Sequence, residues 1–112
     1  MENKTINILG EEWKIEFRKE SEDDKLTEVD GYCDCTIRTI VCGKFVKDSK
    51  MSISDLNNIT MRILRHEIIH AMLYESGLKA NCNWAKNEEC VDWIALQFPK
   101  LLEIFKKEGI DK

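Results

Sequence analysis

The sequence predicts an α+β fold: a small, mostly antiparallel sheet in the front half, packed on two long helices in the back half. Three observations predict it. Apolar and polar residues alternate in short runs up to about residue 42, the period of half-buried strands. From residue 55 onward apolar residues recur at spacings of three and four, the period of a helix. The chain has 112 residues, 43% hydrophobic and 34% charged, which suits one globular domain over 1–112 and leaves no material for a second core.

The elements follow in order. Thr5 to Leu9 reads as a short strand, with Ile6 and Ile8 on one side. Gly10-Glu11-Glu12 supplies a turn, and Trp13, Ile15 and Phe17 alternate on a second strand, so the pair forms a hairpin with one apolar face. Glu20 to Asp30 is acidic and polar and reads as a solvated loop. Gly31 opens a third strand over 32–42, rich in Thr, Ile, Val and Cys. In that strand Ile37, Thr39 and Val41 share one face, with Arg38 and Ile40 on the other. Gly43 to Met51 is a connection. A first helix spans about 53–76, capped by Ser52 or Ser54, with Ser52-x-x-Asp55 resembling a capping box. Leu56, Ile59, Ile63, Met72 and Leu73 form its stripe, and Gly77 stops it. A second helix spans about 84–108, carries Val91, Ile94, Ala95 and Phe98, is kinked at Pro99, and ends at Gly109. Trp13 belongs to the hairpin core; Trp84 and Trp93 are expected to pack over the second helix, or Trp84 to line a cleft mouth.

Composition narrows the function. A net charge of −4 and a pI near 5.2 disfavour a nucleic-acid partner held by bulk charge. No apolar run approaches the roughly 18 residues of a membrane span, and the first residues lack the apolar stretch of a secretory leader. Five cysteines, an odd number, at 33, 35, 42, 82 and 90 read as free thiols of a reducing, cytoplasmic compartment. Cys33-x-Cys35 with Cys42 and Cys82 is a weak pattern for a second, structural metal site; small buried apolar residues are the plainer reading. The absence of Cys-x-x-Cys argues against thiol redox catalysis.

The chemistry is concentrated in Arg65-His66-Glu67-Ile68-Ile69-His70. On a helix, residues four apart lie about 40° apart around the axis and one turn along. His66 and His70 therefore face the same way and can grip one metal ion, while Glu67 is turned aside as a base for water. Zinc suits neutral imidazole and carboxylate ligands with one open position. These are the only two histidines in the chain, so the third ligand must be another group. Glu88, Glu89, Cys90 and Asp92 on the next helix are the candidates. Glu88 and Asp92 share a face; Glu89 points about 100° away. That arrangement allows Glu88 to bind metal while Asp92 orients a ligand histidine.

His66-Glu67-x-x-His70 followed by Asn87-Glu88-x-x-x-Asp92 resembles the gluzincin zinc peptidases, including thermolysin-like enzymes. The resemblance implies that Glu88 is the third zinc ligand and that Asp92 supports a zinc histidine. Glu88-x-x-Val91-x-x-Ile94-Ala95 is similar to a pattern of ImmA/IrrE-type metallopeptidases, with Val91 and Ile94 in place of that group's alanine and phenylalanine. The chain most resembles small phage and prophage metallopeptidase-like proteins, minimal gluzincins, over about residues 52–98. The resemblance implies one zinc ion per chain, hydrolysis of a protein or peptide substrate held extended along an edge strand, and the cytoplasm of a bacterial or phage-infected cell. The family's transition-state histidine or tyrosine has no fixed counterpart. Tyr74, four residues after His70, and Arg38 on the third strand are candidates, although Tyr74 reads more simply as an aromatic under the helix. The rival reading is a zinc-binding regulatory or structural module of a phage or mobile element, without hydrolysis. Glu67 weighs against it, since a structural site has no use for a base beside an open position.

Overall fold

Alternation at the front of the chain does produce strands, and a four-stranded mixed sheet packs against the helices. The computed structural model describes residues 1–45 and 53–112. The strands are β1 (Lys4–Ile8), β2 (Glu11–Arg18), β3 (Gly31–Asp34) and β4 (Thr39–Gly43), in the order β1-β2-β4-β3. β1 and β2 form the expected hairpin, with Ile6 opposite Trp13. Its turn is centred on Leu9 and Gly10, both with positive φ, and so falls just before the expected position.

The expected strand over 32–42 is a correction: it is two strands. Asp34 accepts hydrogen bonds from the backbone and hydroxyl of Thr36, and this side-chain turn reverses the chain through residues 35–38. Arg38 takes φ 49° at its end. Ile37 is therefore exposed in a turn and does not share a strand face with Val41. β3 and β4 pair antiparallel, while β2 and β4 pair parallel, with Ile15 beside Ile40.

Behind the sheet run α1 (Ile53–Glu75), the short α2 (Leu78–Asn81) and α3 (Glu88–Glu108). The Ser52 cap lies outside the described residues, and Ser54 lies within α1. Gly77 ends α1 with φ 83°, a left-handed conformation that a side chain resists. The second helix starts later than expected. Trp84–Lys86 is a separate 3-10 turn, and Asn87 then caps α3 by accepting a 2.8 Å hydrogen bond from the Cys90 backbone. Pro99 lies inside α3 without ending it, and Gly109 closes it as expected.

α1 lies between two apolar clusters. On one side Trp13, Ile15, Phe17, Ile40 and Cys42 of the sheet bury Leu64 and Ala71. On the other, Leu73 packs with Ala85 and Val91. Trp13 is fully buried, and its Nε1 donates to Glu75 at the end of α1 (2.9 Å). Gly31 lets the sheet edge lie directly on α1: a Cβ there would meet Ile63 Cγ2 at 2.6 Å and the Val41 carbonyl at 2.9 Å. Trp84 and Trp93 are 47% and 64% exposed, against expectation. Trp93 sits about 200° around α3 from the buried Val91, so it points away from α1. Phe98, also expected in the core, is exposed together with Leu96, Leu101 and Ile104. Among the described residues no helix is long and apolar enough to cross a membrane.

Candidate metal centre

The helical spacing of His66 and His70 becomes a shared face. Their Nε2 atoms lie 3.1 Å apart, with the rings edge to face. The first turn of α3 brings Glu88 onto the same point, with Oε2 2.9 Å from His66 Nε2 and Oε1 3.0 Å from His70 Nε2. Two ligands held about 2.0–2.1 Å from a tetrahedral zinc ion lie roughly 3.3 Å apart. Each of the three contacts is close to that separation, with Glu88 reaching each histidine through a different carboxylate oxygen, so this donor set fits the ion in chemistry and in span. The ligand atoms of His66, Glu67 and His70 also lie within 4.8 Å of one another, and that group could hold a metal ion.

Several contacts hold α3 in place for this. After the Gly77 turn the chain folds back through α2, and Ala85 buries against Leu73 and Val91. Arg62 pairs with Asp92 (2.7 Å), and Arg65 Nε donates to the Ala95 carbonyl (2.8 Å). The latter has a backbone cause. Pro99 has no N–H to offer the carbonyl four residues before it, which is Ala95, and Ala95 is fully buried. Arg65, one residue before the first histidine, supplies the missing donor.

The remaining predicted groups fall in different places. Asp92 Oδ1 faces His66 Nδ1 at 3.5 Å, longer than a hydrogen bond but near enough to bias the ring. Glu89 is exposed. Tyr74 packs edge-on against Trp13 at 6.3 Å between ring centres. Arg38 Nε donates to Glu75 (2.6 Å) at the far end of α1. Neither lines the cavities at the histidines. Cys33 and Cys35 are neighbours, with sulfurs 3.7 Å apart, while Cys42 is buried in the sheet core and Cys82 packs in the cluster on the opposite side of α1. The four do not converge on one point.

Electrostatics distinguish the carboxylates. Burial pushes Glu67 up to about 7, helped by the charge of Glu88 and opposed by His66 and Lys79. Burial raises Glu88 as well, but the two histidines outweigh it and hold that carboxyl below its ordinary value. Burial moves His70 the opposite way, below the ordinary histidine value, which favours the neutral ring that binds metals.

Two open cavities flank the histidines, of about 500 and 440 Å³, and they share Gly31, His66 and Glu67. The smaller is also lined by Lys79 of α2. Sequence reasoning missed this residue, because only the fold-back after Gly77 carries it to the site. No family model, curated protein or solved structure matches this chain.

Proposed function

We propose that this chain is a zinc-dependent peptidase of minimal gluzincin type. The observation that carries the reading is the cluster of His66, His70 and Glu88 donors with a buried, proton-avid Glu67 beside it. Zinc, when bound, supplies a Lewis acid that polarises a carbonyl and makes water acidic. His66, His70 and Glu88 hold it. Glu67 accepts the proton of the attacking water and returns it to the departing amine nitrogen, a task suited to a group that titrates near neutrality. Asp92 favours the His66 tautomer with its proton on Nδ1, which leaves the Nε2 lone pair free.

The substrate is an extended protein or peptide segment. β3 is an outer strand, and Gly31, Tyr32 and Cys33 border the smaller cavity. A peptide added along that edge pairs through its backbone, which demands little of its side chains. The odd number of thiols fits the cytoplasm of a bacterial or phage-infected cell. A second reading, a zinc-binding module without hydrolysis, draws on one observation: Trp93, Phe98, Leu101 and Ile104 expose an apolar face on α3 of the kind that proteins use to associate.

The test is zinc content and hydrolysis of an unfolded protein by wild type and Glu67→Gln. The peptidase reading expects equal zinc in both and turnover only in wild type. Equal zinc with no turnover in either favours the module, and loss of zinc in Glu67→Gln refutes the assignment of Glu67 as base.

A further inference from the structure

Hydrolysis of an amide needs a partner for the negative charge that develops on the carbonyl oxygen, and the two groups expected from the sequence are committed elsewhere. Tyr74 packs edge-on against Trp13, and Arg38 is bound to Glu75. Of the two cations that line the cavities at the histidines, Arg62 is paired with Asp92 and Lys79 is not. Lys79 lines the smaller cavity with His66, Glu67, His70 and Glu88. It is half-buried, and its Nζ lies 3.5 Å from Cys35 Sγ, a weak acceptor. Among the described residues it forms no salt bridge.

We infer that Lys79 binds the anionic oxygen formed on the substrate carbonyl, an inference that rests on the peptidase reading above. When water adds, a C–O bond forms, the carbonyl π pair moves onto oxygen, and the water's proton goes to Glu67. Lys79 donates a hydrogen bond to that oxygen and keeps its own proton. On collapse the pair returns, the C–N bond breaks, and the proton on Glu67 passes to nitrogen. An ammonium positioned on the cavity wall stabilises the charged species more than the neutral amide, which is the condition for lowering a barrier.

The experiment compares wild type, Lys79→Met and Lys79→Arg, each first shown to be folded and assayed for zinc. Each is then titrated by calorimetry with methylphosphonate, a tetrahedral oxyanion, and with acetate. The inference expects equal zinc in all three. It also expects methylphosphonate to bind Lys79→Met about ten- to hundredfold more weakly than wild type, with Lys79→Arg restoring most of the loss and acetate much less affected. Unchanged methylphosphonate affinity in Lys79→Met overturns it. An equal loss for acetate assigns Lys79 to carboxylate recognition and also overturns it. Zinc lost in Lys79→Met alone marks a structural role and does the same. Failure of wild type to take up zinc refutes the metal reading itself, takes this inference with it, and is seen before any anion is added.

Discussion

Among the described residues Glu67 is the one buried carboxylate, 6% exposed on the face of α1 that meets the sheet. Its proton affinity records the cost of that burial. The folded-state value near 7 exceeds the unfolded one of about 4.3, so between them the folded state binds the extra proton. The stability this group contributes is full below about pH 4.3 and is lost as pH rises through 7. In metal-free protein, the stability advantage of Glu67→Gln over wild type is therefore expected to grow from about pH 4.5 to 7 and level off above. Melting curves in a chelator check this, and a difference independent of pH contradicts it. At this scale the sequence is very legible where geometry is local. The spacing of His66 and His70 becomes a shared face, with Glu67 turned aside next to it, because a helix fixes it. Glu88 needed a second helix to arrive, and the resemblance to a known motif, more than spacing, selected it. Lys79 left no local trace at all.

Helix α3 is set against α1 by a compensation between two residues remote in sequence. Pro99 frees the Ala95 carbonyl, and Arg65 answers it. Arg65→Met is expected to cost about 1–3 kcal/mol, the usual penalty for a buried carbonyl left without a donor. In a Pro99→Ala background the backbone can bond to itself, and the cost of Arg65→Met should fall clearly. A double-mutant cycle by denaturant unfolding reads this coupling, and additive effects refute it. On the other face, Gly31→Ala is expected to destabilise by roughly 1–3 kcal/mol through overpacking. Adding Ile63→Ala should recover only part, because the Val41 carbonyl remains 2.9 Å from the new methyl. Among elements, the helix ends were readable because Gly77 and Gly109 stop a helix by backbone conformation. The turn at 35–38 was not readable, because no glycine or proline marks it. Its signal is Asp34 with Thr36, easily taken for the polar positions of a strand.

The whole molecule joins its site from two helices that touch the sheet unequally. α1 is wedged between sheet and α3, but α3 is fully buried only at Val91 and Ala95. The radius of gyration is 15.1 Å, against about 13 Å for a compact domain of this length; the excess fits a distal half of α3 with its apolar side chains exposed. The sequence could not show this, since a helical apolar stripe looks the same whether or not a partner covers it. Nor could alternation reveal that β2 and β4 run parallel. Because the proposed ligands bridge α1 and α3, zinc binding should stiffen the contact between them and stabilise the whole fold. Zinc at 100 times its dissociation constant should add about 2.7 kcal/mol, or about 10 °C in melting temperature. Glu88→Ala should abolish most of that shift and Glu89→Ala should leave it; the reverse pattern moves the third ligand by one residue.

The outer position of β3 has a further consequence, for solubility. A strand edge that can receive one extended chain can receive any other, including its own counterpart on a second molecule, and such edges seed aggregation when long and flat. β3 is four residues long and closes on the Asp34–Thr36 turn, with Gly31 pinned on α1 at its other end. That is long enough to hold a visiting segment for a few backbone pairs, and too short to nucleate a growing sheet.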